Sequence, residues 1–362
     1  MYIKEVELKN YRNYDYLKIK MNKKFNLILG NNDEGKTNLL ESIYLSSIGR
    51  SFRTNKDAEL VKFNHDMAKV SVTAEKSYTD TSVEIIIKKD SQKSIRKDGN
   101  HIKRSSELLE NILIVIFSPE DLKLVKDEPE KRRKFIDREL SQIRPSYYDS
   151  LSNYKKILQQ RNTYLKEDKI DESLLDLWDV QLAKYGAEII KARKKFIKKL
   201  NIYSSSIHES ITNGKEKLVL VYEPNIEADG NIEETCYKVL RENIKNDLKH
   251  RNTGKGPHRD DLGFFVNGIN MRNFGSQGQQ RTCALSVKLA ELNLIREETG
   301  EDAILLLDDV MSELDIERQE YLIKTLKDNQ LFITTTDIEK KILDSLPDGK
   351  IIYVKHGTVT EK

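Results

Sequence analysis

The chain of 362 residues has only two cysteines, Cys236 and Cys283, in segments of different character and without C-x-x-C spacing. That excludes a disulfide framework and gives no support to a zinc site, so both are expected to be ordinary reduced thiols. Apolar runs are short. Nothing approaches the roughly 18 to 20 residues of a membrane helix, and Met1-Tyr2-Ile3-Lys4-Glu5 lacks the basic start and apolar core of a signal peptide. A cytosolic protein without a membrane partner is expected. Charge of one sign is not in excess either: Lys+Arg 62 against Asp+Glu 59 leaves a balance of +3, so any anionic partner must be met by local patches. Internal repeats, low-complexity linkers and sustained heptads are missing too, which excludes a long coiled coil. What remains is a globular chain, long enough for two or three domains, with apolar content for at least one large core.

The most informative run present is Gly30-Asn31-Asn32-Asp33-Glu34-Gly35-Lys36-Thr37, which fits G-x-x-x-x-G-K-[ST]. It follows an apolar segment of strand length, Phe25 to Leu29, and precedes a segment of helical periodicity, Asn38 to Ile48; the motif requires that context. Backbone N–H groups of such a loop converge on the β- and γ-phosphates of a nucleotide, and the helix that starts there adds partial positive charge. Lys36 supplies a point charge to the terminal phosphates, and Thr37 offers its hydroxyl to Mg2+. The carboxylate that completes the metal site is expected at Asp308, which ends the buried-strand run Leu305-Leu306-Leu307.

Residues 2–29 alternate as strands do, with further strand-like runs at 70–72, 83–87 and 112–117, and Asp98-Gly99-Asn100 marks a hairpin. Residues 1–118 are therefore expected to form a mixed sheet around the phosphate loop. Over 119–250 turn residues thin out, and Leu151, Tyr154, Leu158, Leu174, Leu177, Trp178 and Leu182 recur at helical spacing. Arg144-Pro145 and the polar stretch 166–171 interrupt this block, so short packed helices are expected rather than an extended rod, with a strand near 217–223 and a helix over 231–249. Residues 251–362 then alternate: a hairpin at Asn267-Gly268, helix 279–298, strand 303–308, helix 316–328, strand 331–335, and a last short helix and strand. That is α/β texture with parallel pairing. Both nucleotide half-motifs belong to one domain, split in sequence by the helical block.

Asp309 follows Asp308 at once, placed to polarise an attacking water, and the run Asp308-Asp309-Val310-Met311-Ser312-Glu313-Leu314-Asp315 resembles the Walker B and D-loop of ABC-type ATPases. Upstream, Phe274-Gly275-Ser276-Gln277-Gly278-Gln279-Gln280-Arg281-Thr282 resembles the ABC signature, in which a serine and a helix N-terminus grip the γ-phosphate bound by a second subunit. Phe332-Ile333-Thr334-Thr335-Thr336-Asp337 stands where the switch strand and its loop would be. To these are added Lys9-Asn10-Tyr11-Arg12-Asn13-Tyr14, Gly49-Arg50-Ser51-Phe52-Arg53-Thr54, Phe117-Ser118-Pro119-Glu120-Asp121-Leu122, Arg132-Arg133-Lys134-Phe135-Ile136-Asp137, Trp178-Asp179 with Tyr185-Gly186-Ala187, and Gly256-Pro257-His258-Arg259-Asp260-Asp261-Leu262. In this order, end to end, they resemble the RecF family of SMC-like ATPases.

The resemblance implies an α/β fold: an ABC-type ATPase head with a mixed sheet and phosphate loop, plus a helical arm inserted in sequence. It implies an ATP- and Mg2+-dependent homodimer with weak, DNA-stimulated hydrolysis as a release switch. It further implies sequence-independent binding to duplex DNA and to junctions of single and double strands, and work with RecO and RecR that helps load RecA at gaps. By residue it implies ATP contacts from Arg12, Gly30, Asn31, Asn32, Asp33, Glu34, Gly35, Lys36, Thr37 and Asn38, and Mg2+ at Thr37 and Asp308. Catalysis would fall to Asp309, signature contacts in trans to Ser276, Gln277, Gly278 and Gln279, and D-loop and switch roles to Asp315 and Thr336. Two positions depart from the family pattern, and a third, Asp309, follows it while differing from most ABC enzymes. Asp33 stands where a small residue is usual and is expected to weaken ATP affinity at most, since Asp tolerates left-handed geometry. Phe52 stands where histidine is common. Asp309 is a methylene shorter than the glutamate of most ABC enzymes, so slow hydrolysis is expected from a base that must reach its water within about 2.6 to 3.2 Å.

Residues 186–200 carry Lys191, Arg193, Lys194, Lys195, Lys198 and Lys199 alongside an apolar stripe. Two readings stand, a solvated face or a phosphate track whose affinity falls with salt. The same pair applies to Lys131-Arg132-Arg133-Lys134 and to Arg50 and Arg53, which makes Arg50, Arg53, Arg132, Arg133, Lys194 and Lys198 the candidate DNA contacts. None of them can specify bases. His258 lacks metal-ligand spacing and is expected to make structural hydrogen bonds, and Trp178 to anchor the arm's core. A transporter nucleotide-binding subunit would need a much shorter interval from Lys36 to Ser276, and a structural SMC-type tether a long heptad arm. A small-molecule kinase has no use for the signature run.

Overall fold

The fold, taken from a computed structural model, is described for residues 1–76, 79–326, 329–336 and 348–361. It divides into two compact units, residues 1–122 with 291–362, and residues 123–290. The first division lies near the expected residue 118; the second lies well beyond 250, so the signature run belongs with the helical unit.

The first unit begins with β1 (Tyr2–Tyr11), β2 (Tyr14–Lys20), β3 (Phe25–Leu29), α1 (Lys36–Ile48), β4 (Met67–Lys76), β5 (Thr79–Lys88), β6 (Ser91–Lys97), β7 (Asn100–His101) and β8 (Ile114–Phe117). In β4 the residues Ala68, Val70, Val72 and Ala74 are buried and those between them are not, the alternation of a sheet with one covered face. These strands form an antiparallel sheet in the order β2-β1-β4-β5-β6-β7. Asp98 and Gly99, both at positive φ, close the expected hairpin between β6 and β7. β3 and β8 do not join that sheet, so the single mixed sheet expected over 1–118 is in fact divided. Both strands are buried on both faces, which suits the interior of a parallel sheet.

The second unit carries α2 (Pro129–Ile143), α3 (Pro145–Tyr164), α4 (Glu172–Ile211), β9 (Leu218–Glu223), α5 (Ile232–Glu242), α6 (Ile244–His250), β10 (Asp261–Val266), β11 (Ile269–Asn270), α7 (Met271–Phe274) and the start of α8 (Gln277–Thr299). The breaks fall as expected at Arg144-Pro145 and over 166–171. Between 172 and 211 no proline occurs, and α4 runs for 40 residues, about 60 Å at 1.5 Å per residue, so the expectation of short helices is corrected here. Its buried stripe includes Leu175, Leu182, Ile189, Ile190, Phe196, Ile197 and Leu200. Trp178 packs on Tyr164 with ring centroids 5.1 Å apart, beside a cluster of Leu165, Leu175 and Ile244. Cys236 and Cys283 are buried and free, and burial pushes their thiols up to about 11 and about 12.

The chain re-enters the first unit through the end of α8 and adds β12 (Ile304–Asp308), α9 (Ile316–Thr325), β13 (Leu331–Thr335), β14 (Lys350–Lys355) and β15 (Thr358–Glu361). Its second sheet has the order β15-β14-β3-β13-β12-β8, parallel except for β15. The last expected helix lies outside the described residues, as does Asp337. Helix α1 is buried nearly all round, its Leu39, Leu40 and Ile43 sharing one core with Val6 and Val70 of the first sheet and Ile28, Leu306 and Phe332 of the second. The buried Ser42, Ser46 and Ser47 satisfy their hydroxyls on carbonyls one turn back.

Buried charge in the second unit is compensated in kind. Arg161 and Asp179 are fully buried and Asp247 nearly so; the guanidinium lies 2.8 Å from Asp179 and 2.7 Å from Asp247. Arg161→Met leaves Asp247 without its cation and Asp179 with only Arg241, 3.4 Å away, and a loss of about 3 to 5 kcal/mol is expected in urea unfolding of the variant. A change below about 1 kcal/mol would mean that water reaches both acids.

Candidate nucleotide site and signature segment

Parallel pairing of β3 with β13, and of β13 with β12, sets the end of β3 and the end of β12 on the same sheet edge. The phosphate loop leaves β3 there, and Thr37 Oγ1 donates a 2.8 Å hydrogen bond to Asp308 Oδ1 across 271 residues of sequence. Thr334 Oγ1 donates to the same oxygen at 2.9 Å. Two loop positions must be glycine. A Cβ on Gly30 would lie 2.4 Å from the Val354 carbonyl oxygen, and one on Gly35, at φ +121, would lie 2.6 Å from the Asn13 amide. Lys36 closes the loop by donating to the carbonyls of Gly30 at 2.7 Å and Asn31 at 2.8 Å. Glu34 accepts from the Asn31 backbone N–H at 3.3 Å. Asn32 and Asp33 are exposed, and Asp33 adopts the left-handed backbone expected of it.

The β1–β2 turn supplies a second layer. Arg12 forks onto both carboxylate oxygens of Glu41, which is fully buried on α1, at 2.8 Å each. Ser51 also donates to that carboxylate. Asn13 holds the Glu34 carbonyl at 2.8 Å, Asn38 holds Asn13 at 2.9 Å, and Arg53 holds Asn38 at 2.7 Å. Beside these groups lies a cleft of about 560 Å3 whose lining includes Arg12, Asn13, Asn38, Arg53, Phe63 and Lys89. Sequence reasoning missed Asn13, Glu41, Phe63 and Thr334 as site residues. The signal for Glu41 was legible: an acid on a helix that is otherwise apolar and small.

Burial raises the Asp308 carboxyl above its ordinary value, against the hydrogen bonds of Thr37 and Thr334 and the charges of Arg53 and Lys36. Asp309 is raised as well, first by burial, with Lys36 opposing and Asp308 and Glu313 adding to it. Its backbone is left-handed, and its N–H is held by the Thr334 hydroxyl at 3.0 Å. Thr37 would offer a neutral hydroxyl oxygen and Asp308 a carboxylate oxygen to a hard cation, so this pair fits Mg2+. Among the described residues no cluster of three or more His, Cys, Asp or Glu offers another metal site, and no helix is long and apolar enough to cross a membrane. Asp315 caps α9 by accepting from the Arg318 N–H at 2.9 Å, and Thr336 is exposed past β13.

In the second unit, Ser276, Gln277 and Gly278 are exposed. Ser276 Oγ accepts from the Gln279 N–H at 3.2 Å and Gln279 Oε1 accepts from the Ser276 N–H at 3.1 Å, a reciprocal capping box at the start of α8. Of the basic candidates there, Arg132 is 1% exposed, with its guanidinium spent on Asp261 and on carbonyls of residues 124, 125 and 127. It has no donor to offer a phosphate, which corrects the expected DNA contact. Arg133 is half-buried and donates to the Asp260 carbonyl at 2.7 Å, Lys194 to the Ala228 carbonyl at 3.3 Å, and Lys198 is exposed. Arg50 is exposed in the first unit, whereas Arg53 faces the nucleotide cleft. His258 bonds Tyr154 at 2.7 Å and the Thr253 carbonyl at 3.0 Å, and burial lowers its ring to about 4, as suits a neutral structural group.

Among known proteins, the chain is 46% identical to the DNA replication and repair protein RecF of Alkaliphilus oremlandii over 365 residues, 99% of this chain and 100% of that one. It is 45% identical to the RecF protein of Clostridium novyi over 364 residues, the whole of both. The family model for the RecF/RecN/SMC N terminal domain matches residues 2–356. The chain belongs to the RecF family. It is also similar to a solved structure of the recombination mediator protein RecF-ATPrS in the RecFOR pathway, with a TM-score of 0.93 and 39% identity over 99% of this chain and 98% of that one. An SMC head bound to the C-winged helix domain of ScpA aligns at a TM-score of 0.58 with 17% identity, covering 100% of this chain and 97% of that one, a likeness of the head fold alone.

A base must be ionised to take a proton, so single-turnover nucleotide hydrolysis is expected to fall, as pH drops, along an acid limb set by Asp309. Burial and the charge of a bound triphosphate raise that limb, and a Mg2+ ion held at Asp308 would lower it. Asp309→Asn should abolish hydrolysis while nucleotide binding persists. A variant that keeps the wild-type rate and acid limb would contradict the role given to Asp309.

Proposed function

We propose that this protein is an ATP-gated DNA clamp of recombinational repair and replication, and that nucleotide binding closes two copies of the chain into a dimer. The observation that carries the reading is the Thr37–Asp308 bond, which joins the phosphate loop to the metal carboxylate while Ser276, Gln277 and Gly278 stay exposed for a second copy. Mg2+ at Thr37 and Asp308 supplies charge neutralisation for the phosphates when bound. Lys36 releases its two loop carbonyls and turns to the β- and γ-phosphates, while Arg12, Asn13, Asn38 and Arg53 face the nucleoside side. Ser276 keeps its hydroxyl proton free, since its oxygen only accepts from Gln279, and it presents that proton to the γ-phosphate in trans.

Dimerisation then draws its free energy from contacts that a monomer lacks, so ATP stabilises the dimer by mass action. Asp309, held by Thr334, orients the attacking water, and slow hydrolysis opens the dimer and frees DNA. Duplex DNA and junctions of double and single strands are bound without base readout, with Arg50, Arg133 and Lys198 as the phosphate contacts. The RecF protein of the similar solved structure is a recombination mediator in the RecFOR pathway. By extension, this chain acts in the cytoplasm with RecO and RecR partners and helps RecA load at gaps.

Sedimentation of the wild type and Lys36→Met, with and without ATP and a gapped duplex, tests the reading. The wild type should shift to a dimer with ATP and DNA, and Lys36→Met should stay monomeric at protein concentrations about tenfold higher. A wild type that stays monomeric with both ligands would remove the clamp; a variant that dimerises equally well would remove Lys36 from the γ-phosphate.

A further inference from the structure

The end of helix α4 is joined to Gln279 of the signature turn by side chains that have no part in the nucleotide chemistry described above. Gln279 donates from Nε2 to Glu216 Oε1 at 2.8 Å, and Glu216 Oε2 lies 3.2 Å from His208 Nε2. On the other side of the ring, His208 Nδ1 lies 3.1 Å from Ser286 Oγ, and Ser286 Oγ lies 2.7 Å from the Thr282 carbonyl oxygen. His208 is fully buried on α4, and Glu216 returns to it because the helix ends in a turn with Asn213 and Gly214 at positive φ.

The protons in this chain can be counted. A hydroxyl oxygen 2.7 Å from a carbonyl must place its hydrogen between the two, so Ser286 has only a lone pair left for the ring. His208 Nδ1 therefore carries a proton. The Glu216 carboxylate is an acceptor only, so Nε2 carries one as well. The nearby Cys283 thiol stays neutral, pushed up to about 12 by burial and then by the Glu216 charge.

We propose that His208 is an imidazolium whose ion pair with Glu216 fixes the Gln279 side chain and so positions the Ser276–Gln279 turn for the γ-phosphate of a second copy. The proposal deepens the clamp reading and rests on it. With its amide nitrogen held by Glu216, Gln279 must turn Oε1 to the Ser276 N–H, which keeps the capping box in one arrangement and leaves the Ser276 hydroxyl proton facing out. His208 and Glu216 are positioning residues: neither reaches the nucleotide. They tie the signature turn to the far end of a 40-residue helix.

Two measurements on the full chain test this. The first is the side-chain 15N spectrum of His208 in the wild type at pH 8, where both ring nitrogens should carry protons; a ring with one proton overturns the proposal, whatever any variant does. The second compares Glu216→Ala, Glu216→Gln and Ser276→Arg for affinity of the monomer for a fluorescent ATP analogue and for ATP-dependent dimerisation. Glu216→Ala should keep the monomer's nucleotide affinity and weaken dimerisation about tenfold, the loss of one charge-assisted hydrogen bond. Glu216→Gln keeps an acceptor for Gln279 and offers an amide N–H to a ring that has lost one proton. It should recover most of the dimerisation while its His208 spectrum turns neutral. Ser276→Arg should abolish dimerisation. If it does, and Glu216→Ala dimerises like the wild type, the relay is overturned and the clamp stands. If Ser276→Arg dimerises normally, the clamp falls and the relay with it.

Discussion

One oxygen atom holds the candidate site together. Asp308 Oδ1 receives the hydroxyls of Thr37 and Thr334, and so ties the start of α1, the end of β12 and the end of β13 into one constellation. The three come from opposite ends of the chain. What allows them to meet is the strand order β14-β3-β13-β12-β8, a parallel core whose strands all run the same way, so that the loops after them gather on one edge. Without that order, the glycine-rich loop is a phosphate cradle with no carboxylate behind it.

The helix behind the cradle bears a second constraint. Helix α1 is covered by both sheets of its unit, yet it carries Glu41 at full burial. An unpaired carboxylate there would be costly, and the structure meets it with the Arg12 fork, Ser51 and, at 3.9 Å, Arg53. The consequence is functional: Arg12 and Arg53, which neutralise a buried acid, also wall the cleft beside the phosphate loop. In the helical unit the logic is repeated with the signs exchanged, where Arg193 is nearly fully buried and spends its donors on Asp137, Asp260 and the Pro257 carbonyl.

Much of this was legible in the sequence, for local reasons. The phosphate loop, the β12 carboxylate and the signature run declare themselves by glycine placement and by a switch between strand and helix periods. Two-residue turns at Asp98-Gly99 and Asn267-Gly268 read correctly because left-handed backbone needs such residues. What did not read was non-local. Sheet membership of β8 depends on a partner about 190 residues away and that of β3 on one about 306 away, so an expected single sheet became two. The length of α4 was misjudged because two real helix breaks before it suggested more of the same. Arg132 looked like its neighbour Arg133 in sequence, and only the Asp261 carboxylate beneath it separates a structural cation from an accessible one. Of the layer around the loop only Glu41 left a signal in the sequence; Asn13 and Thr334 are ordinary residues until their partners are known.

The central claim is that a phosphate loop from one copy and a signature turn from another make one working site. Complementation between two inactive variants tests it most directly. Lys36→Met spoils the loop and Ser276→Arg spoils the signature, and each alone should hydrolyse no ATP. Neither variant closes with its own kind, so in the mixture only heterodimers form, each with one intact composite site of two, and the account predicts hydrolysis that neither variant shows alone, at most about half of the wild-type level. A mixture as inactive as its components would show that loop and signature act within one chain, and would contradict the account.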